Sequence, residues 1–248
     1  MVQSQYSALS ALRVQQYNLD TIANNLSNVN TIAFQSGRVD FKDSLYRALQ
    51  GVGTNQRMGG SGALIDSVQR MTFTGTPDMT GESLDMMLDG RGYFAVADGA
   101  GNVFFTRNGA FGTTLRNGTK YLTTASGLNV LGTNNQPIQI NGNPENLTVG
   151  KDGVLKMDGA VIGKLRVVGF TNEEGLMDIG GSLFAYNNAA GAITASDAPV
   201  LQGALESSNV DVAEEMSRMM RAQKAYAFLG RIISTSDQME SQANNMIR

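Results

Sequence analysis

Apolar positions near the N-terminus repeat at helical spacing. They alternate intervals of three and four residues, so they fall along one stripe of an α-helix. The stripe comprises Leu12, Gln15, Leu19, Ile22, Leu26 and Val29. Polar residues such as Arg13, Asp20 and Asn24 occupy other faces. The pattern is a heptad seam and predicts a helix of roughly 35–40 Å at ~1.5 Å per residue.

The C-terminal region predicts a second, longer helix. Asp211 and Glu214 have the spacing of a capping box, which marks the start of a helix. Two neighbouring apolar stripes follow, and together they make a wide apolar face. The first stripe is Val212, Met216, Met219, Gln223 and Tyr226; the second is Ala225, Leu229, Ile232, Ser236, Met239, Ala243 and Met246. The predicted length is roughly 50 Å.

The middle of the chain has a different character, because it is rich in turn residues. Residues 51–205 hold 27 of the 29 Gly and all four Pro. Asp-Gly and Asn-Gly pairs, which favour tight hairpin turns, separate short runs of aromatic and β-branched residues. These pairs begin at Asp89, Asp98, Asn108, Asn117, Asn141, Asp152 and Asp158. We therefore predict an antiparallel β-domain of many short strands.

These patterns together predict an α+β fold. N- and C-terminal helices that pair as a coiled coil would form one domain, from residues 1–35 and 206–248. Residues 36–70 would connect it to a central all-β domain of many short antiparallel strands at residues 71–205.

The apolar stripes of the two helices need partners, because an isolated amphipathic helix is only marginally stable in water. Three arrangements are open. The termini could pair with each other or dock on the β-domain of the same chain. They could form an assembly element that completes its core against other subunits. They could lie on a membrane surface, although residues 1–36 contain few Lys or Arg.

Composition narrows the possible chemistry. The chain has no Cys and no His, which excludes thiol nucleophiles, histidine bases and the usual zinc sites. The formal net charge is −3 and no basic run stands out, so nucleic acid is not expected as a partner. No apolar run is long enough for a transmembrane helix, and the first residues do not have the pattern of a cleavable signal peptide.

Two acidic segments deserve comparison with known sites. Residues 98–102 superficially resemble a calcium loop, but they lack its spaced acidic ligands, so we predict a hairpin turn. Glu173-Glu174 could be imagined as a catalytic carboxylate pair. Adjacent acidic residues on a polar segment are more typical of a solvated turn, so we predict no catalytic residues, no metal and no cofactor.

Several motifs resemble the bacterial flagellar axial proteins of the rod and hook. The N-terminal signature is Ala23-Asn24-Asn25-Leu26-Ser27-Asn28-Val29-Asn30-Thr31, followed by Phe34. The matching C-terminal signature includes Ser208, Asn209 and Val210, followed by Arg221–Tyr226 and Ser234–Met239. Residues 88–94 and 105–111 are similar to the family's β-domain, so the resemblance covers essentially the whole chain. Ala33 stands where the family usually has Gly, and Gln35 where it often has Lys, so we expect a different turn there.

The resemblance implies a structural, non-enzymatic subunit of the flagellar basal body. It would be exported through the flagellar type III apparatus without a cleaved signal and would polymerise helically into a rod that transmits torque. Implied partners are copies of itself, other rod proteins, the hook protein, the export apparatus and rings around the rod. The terminal helices would line the channel, with the β-domain outside. The implied assembly residues are Leu12, Leu19, Ile22, Leu26, Val29, Met216, Met219, Tyr226, Leu229, Ile232, Met239 and Met246.

Within the family, the tail is most similar to the distal rod subtype. The proximal rod subtype and hook-type subunits are the alternatives. A cell-wall binding module anchored by its helices is a more remote one.

Overall fold

The fold has two long terminal helices and a central β region. The computed structural model describes residues 2–43, 47–49, 57–59, 62–116 and 118–246. Helix α1 spans Val2–Ser27 and helix α2 spans Val212–Met246. All described strand pairs are antiparallel. The α+β class predicted from the sequence is confirmed.

The strands are short. In chain order they are β1 Gly37–Asp43, β2 Arg47–Leu49, β3 Arg57–Gly59, β4 Ala63–Arg70, β5 Pro77–Met79, β6 Met86–Leu88, β7 Tyr93–Ala97, β8 Val103–Thr106, β9 Phe111–Arg116, β10 Thr119–Thr124, β11 Asn129–Val130, β12 Leu147–Val149, β13 Val154–Met157, β14 Ala160–Lys164, β15 Val167–Phe170, β16 Met177–Gly180, β17 Leu183–Ala185, β18 Ile193–Ala195, β19 Val200–Gln202 and β20 Ala204–Glu206.

The chain divides into two compact units. The helical unit comprises Met1–Val29, Ser36–Met71 and Val210–Arg248, and the β unit comprises Asn30–Gln35 and Thr72–Asn209. The whole segment 36–70, predicted to be a connection, falls within the helical unit. Its positions 44–46, 50–56, 60 and 61 lie outside the described residues.

In the helical unit, α1 packs against α2 and against a hairpin formed by β1 and β4. The helices are antiparallel, because the Gln5 side chain donates to Asp237 at 3.2 Å, whereas Ile22 and Ala222 line one cleft. At about 1.5 Å per residue, the 26 residues of α1 and 35 of α2 match the predicted lengths. The sequence did not predict the hairpin. No described helix has the length and apolar character needed to cross a membrane.

The start of α2 confirms the predicted N-cap. The Asp211 carboxylate accepts hydrogen bonds from the main-chain amides of Ala213 and Glu214, at 2.8 and 3.1 Å. The Glu214 side chain binds Arg218 at 2.6 Å. The cap is thus formed by Asp211, and Glu214 adds an ion pair along the helix.

The β unit is built on a forked nine-stranded sheet. Its main path is β16-β17-β8-β7-β11-β10-β9. The first half of β7 also pairs with β15, and β15 pairs with β18. A three-stranded sheet of β12, β13 and β14 and two strand pairs, β6 with β19 and β5 with β20, complete the unit.

Strand β7 is buried on both faces, which explains its unbroken apolar sequence. Phe94 and Val96 point into one hydrophobic cluster together with Phe111, Leu122 and other residues. Tyr93, Ala95 and Ala97 belong to a second cluster on the opposite face. Aromatic edge contacts order the second cluster, with Tyr93 5.5 Å from Phe184 between ring centroids.

The glycine pairs have more than one structural use. Asp158-Gly159 joins β13 to β14 with φ values of 49° and 83°, as a type I′ hairpin requires. Asn108-Gly109 does not close a hairpin, because β8 and β9 are not paired with each other. A side chain at Gly109 would overlap the Met86 carbonyl, so close backbone approach is what requires glycine there. Asn117 lies outside the described residues.

A buried ion pair joins distant segments of the β unit. The Arg107 guanidinium contacts the Glu206 carboxylate at 2.8 Å, with only 1% and 3% of the two side chains exposed. Arg107 also donates to the carbonyls of Gly92 and Gly90, at 3.2 and 3.0 Å. The second oxygen of Glu206 accepts from the amide of Gly75 at 2.9 Å. The pair therefore has the additional hydrogen bonds that a buried charge requires.

The turn that precedes this junction contains a strained alanine. Ala33 has a φ of 55° and is fully buried, and its amide donates to the Glu206 carbonyl at 2.8 Å. Ala33 therefore adopts the left-handed conformation that glycine would take without strain.

Replacing Arg107 with Met is expected to lower the free energy of unfolding by about 3–5 kcal/mol, because Glu206 would keep a buried charge without its partner. Adding Glu206→Gln should recover part of this loss. The measurement is chemical unfolding followed by tyrosine fluorescence, since the chain has no Trp. Arg91→Met, at an exposed arginine of the contacted loop, is the control. A loss below about 1 kcal/mol for Arg107→Met would contradict this role of the ion pair.

Ala33→Gly is expected to change the free energy of unfolding by less than about 1 kcal/mol. Relief of the left-handed strain, worth about 1 kcal/mol, is offset by loss of a buried methyl worth about 0.8 kcal/mol. Ala33→Val should cost more than about 2 kcal/mol, because a branched side chain is poorly accommodated both by this φ and by a filled site. The same unfolding experiment checks both changes. Equal stability of Ala33→Val and wild type would show that the turn adopts another conformation.

Candidate assembly interface

The predicted stripe of α1 lies on the face that packs inside the helical unit. Ile22 is buried. Leu12, Leu19, Leu26 and Val29 are each partly buried. These residues already have neighbours within the chain, as expected if the two termini pair.

The predicted residues of α2 separate into two groups. Met219 and Leu229 are partly buried, whereas five others are exposed. The exposed ones are Met216, Tyr226, Ile232, Met239 and Met246. The inward face of α2 instead consists of Glu215, Met219, Ala222, Leu229, Ile233 and Ser236. Their intervals of four, three, seven, four and three residues make a heptad seam rotated from the predicted second stripe.

Further exposed apolar residues lie on the outer faces of both helices. Phe228 is 63% exposed and Met220 56% exposed on α2. Tyr6, Leu9 and Tyr17 are exposed on α1. The sequence analysis did not predict these five positions. Phe228 could have been found, because it lies four residues before Ile232, and Met239 and Met246 follow Ile232 at seven-residue intervals on the same face.

The buried end of α2 contains a charged residue. Glu215 is 4% exposed, and one of its oxygens accepts from Arg218 at 3.1 Å. Its other oxygen has no hydrogen-bond partner among the described residues. The ion pair with Arg218 compensates part of the cost of burying this carboxylate.

The N-terminal signature has a structural explanation at Asn25. This side chain is buried and brackets the first residue of β1: it accepts from the Gly37 amide at 2.8 Å and donates to the Gly37 carbonyl at 2.9 Å. Asn25 thus fixes where the hairpin leaves α1. Ala23 and Asn24 are exposed, whereas Leu26, Asn28, Thr31 and Phe34 are partly buried.

The C-terminal signature meets the N-terminal one inside the β unit. The Asn209 amide donates to the Phe34 carbonyl at 3.3 Å, and its side chain donates to the Phe73 carbonyl at 3.2 Å. Ser208, Asn209 and Val210 are all partly buried. The two signatures therefore specify packing where the chain enters and leaves this unit.

The two acidic segments form turns. The Asp98 carboxylate accepts from the Asn102 side chain and from the amides of Ala100 and Asn102, at 2.8–2.9 Å. These bonds, that from the Asn102 side chain above all, hold the pKa of Asp98 below its usual value. The predicted hairpin turn is confirmed between β7 and β8. Glu173 and Glu174 lie in a short 3-10 turn, with Glu173 accepting from the Tyr93 hydroxyl at 3.3 Å. The described residues contain no cluster of metal ligands.

Three family models match successive parts of the chain. Residues 6–35 match a flagella basal body rod protein model. Residues 87–157 match the D1 domain of the flagellar hook proteins FlgE/F/G, and residues 201–246 match the C-terminal region of the FlgEFG rod proteins.

Curated relatives match from end to end. The chain is 34% identical to the flagellar basal-body rod protein FlgG of Caulobacter vibrioides and 32% identical to that of Bacillus subtilis, with all of both chains covered in each case. The FlgG of Borreliella burgdorferi is 34% identical over the same full coverage. The chain therefore belongs to the FlgG family of flagellar basal-body rod proteins, which are structural subunits of the bacterial flagellum.

Proposed function

We propose that this structural subunit polymerises helically into the distal part of the flagellar rod and transmits torque to the hook without any chemical step. The terminal helices would form an inner layer around the export channel, and the β unit would form the outer layer. The observation that carries this proposal is the band of exposed apolar side chains on both helices of a rod-family chain.

The exposed band is large enough to drive association. Burying one Phe, Ile or Met side chain stabilises an interface by about 1.5–3 kcal/mol. Along α2, Phe228, Ile232, Met239 and Met246 follow one face at intervals of four and seven residues. Such a stripe is typical of a coiled-coil seam, so we infer that neighbouring copies bury it by helix pairing of the coiled-coil type. Exposed apolar surface of this kind marks interaction sites.

Methionine suits this surface. Met216, Met220, Met239 and Met246 are all exposed, and their unbranched side chains adapt to irregular gaps. In a helical polymer, one face must pack against several neighbours in different geometries. A flexible apolar side chain meets that requirement better than a branched one.

The same surface suggests how the subunit is exported. Helices whose outer faces lack partners are only marginally stable, so the termini can be disordered during passage, and burial by neighbouring copies stabilises them further on assembly. This proposal includes export through the flagellar type III apparatus without a cleaved signal. It also includes contacts with other rod proteins, the hook protein and surrounding rings.

The match to FlgG relatives favours the distal rod over the proximal rod protein FlgF and over hook-type subunits. One further relative is named differently: the hook-basal body complex protein FlhP of Bacillus subtilis, 28% identical over 99% of this chain and all of that protein. Position along the axis is therefore the property that an experiment must determine.

Cells that lack this gene are expected to build the inner-membrane ring and a rod that stops before the hook. Electron cryotomography of such cells measures where the rod ends. A stop after the proximal rod supports the distal assignment, whereas a shorter stub supports a proximal one. Complete rods and hooks would contradict the proposed function.

Phe228→Asp and Ile232→Asp are expected to prevent rod formation while leaving the free chain folded. Both side chains are exposed, so the free energy of unfolding should fall by no more than about 0.5 kcal/mol. Rods are counted in basal bodies isolated from the complemented deletion strain, and folding is measured by circular dichroism. Leu19→Asp and Leu26→Asp should also prevent assembly. Because Leu19 and Leu26 are partly buried, these two substitutions should also destabilise the helical unit itself.

Gln238→Asp, at an exposed position of the same helix outside the apolar stripe, is the matched control and should assemble normally. Rods of normal number from Phe228→Asp would show that this stripe is not an assembly surface.

A further inference from the structure

The β unit has a basic cleft on one face of its nine-stranded sheet. The walls are the β7–β8 hairpin and the turn at residues 132–137. Its polar side chains are those of Arg116, Arg166, Tyr121, Asn129, Asn135 and Asp98. Residues 72–209 contain four arginines, of which Arg107 is used in the buried ion pair and two line this cleft. The convergence of these two cations points to an anionic occupant.

Asn129 adds a buried amide to the cleft lining. The residue is only 8% exposed and lies in the cleft lining, and its side-chain oxygen has no hydrogen-bond partner among the described residues. A buried polar atom without a partner is unfavourable, because it has lost its hydrogen bonds to water. A carboxylate has no hydrogen to donate, so it would bind this amide through the NH₂ group, and a turn of about 180° about the last side-chain bond exchanges the positions of the NH₂ group and the oxygen.

The two arginines retain donors for that occupant. Arg166 donates through one nitrogen to the Asn135 side chain at 2.5 Å, and Arg116 donates through one nitrogen to the Gly127 carbonyl at 3.3 Å. Each guanidinium has five N–H groups, so most remain available. Asp98, which also lines the cleft, has its carboxylate engaged in its own turn.

The opposite end of the same sheet carries the complementary charge. The turn at Glu173–Gly175 contains one of the two adjacent acidic pairs in the chain, and the other lies in α2. Glu174 is exposed, and Glu173 contacts the hydroxyl of Tyr93, the first residue of β7. Ala97, the last residue of β7, lines the cleft. Cleft and acidic turn are thus separated by the length of β7, about 13–17 Å.

We propose that the cleft of one copy receives the Glu173–Glu174 turn of the next copy along the polymer. The two carboxylates would meet Arg116 and Arg166, and the NH₂ group of Asn129 would donate to one of them. Complementary sites at opposite ends of one domain make a heterologous contact, which propagates head to tail instead of closing a dimer. The inference rests on the proposed polymerisation and adds to it a specific contact between β units.

Cross-linking of the purified full-length chain tests the contact directly, because the chain has no Cys of its own. Gly99→Cys places a thiol on the cleft rim, where an added Cβ meets no atom within 4 Å. Ala189→Cys places a second thiol beside the acidic turn, because Ala189 is exposed and its backbone packs against Gly175 of that turn. Mild oxidation is expected to give a ladder of dimers, trimers and longer chains. Gly99→Cys with Gly163→Cys, another position with an open Cβ, is the control and should give no ladder.

Charge exchange provides a second, independent readout. Arg116→Glu/Arg166→Glu makes the cleft acidic, and Glu173→Gln/Glu174→Arg makes the turn basic while keeping an acceptor for Tyr93. Each variant alone should lower rod yield in the deletion strain by at least about tenfold, because like charges then face each other. Co-expression should restore rods, since each variant's cleft matches the other's turn. Lys151→Glu/Lys156→Glu, at exposed lysines elsewhere on the β unit, should assemble normally.

A ladder no stronger than that of the control pair, or normal rods from either charge variant alone, would overturn the proposed contact. So would two inactive variants that fail to restore each other. Failure of the proposed function itself is distinguishable, because the deletion strain would then build complete rods without the gene.

Discussion

The buried ion pair between Arg107 and Glu206 is the constraint on which the rest of the β unit depends. A guanidinium and a carboxylate without access to water must find partners within the protein. They do so through the carbonyls of Gly90 and Gly92 and the amide of Gly75, while the main-chain carbonyl of Glu206 accepts from the amide of Ala33. These segments are far apart in the chain, with 131 residues between Gly75 and Glu206. One electrostatic requirement therefore holds distant segments of the β unit together.

The helical unit has two requirements: it must be stable enough to fold, and under the proposed assembly it must also keep apolar surface for neighbouring copies. Each helix uses one face internally, and an exposed apolar band remains on its outer side. Ile22 and Ala222 are buried inside the unit, whereas Phe228 and Met246 are exposed. This division explains why a single amphipathic stripe is too narrow a description of a rod subunit helix. One face of each helix packs within its own chain, and under the proposed assembly the other face packs against neighbouring copies.

The two units also contribute different kinds of contact to the proposed polymer. The helices offer apolar area, which stabilises without specifying register. The β unit offers a pair of carboxylates and a pair of guanidiniums at opposite ends of β7, and such charged contacts specify orientation. Apolar burial between the helices and oriented charged contacts between the β units would together give a straight, rigid assembly from one repeated chain.

The sequence by itself determined the two helices, their lengths, the Asp211 cap, the antiparallel β region and the family. These follow from local periodicity and turn chemistry, which neighbouring residues set among themselves. Only the tertiary structure decided which stripe of α2 turns inward, since both stripes are apolar and local pattern cannot rank them. The same holds for the β1–β4 hairpin, the Arg107–Glu206 pair and the cleft around Asn129. Their members are far apart in the chain, 99 residues in the case of the ion pair, so only folding brings them together.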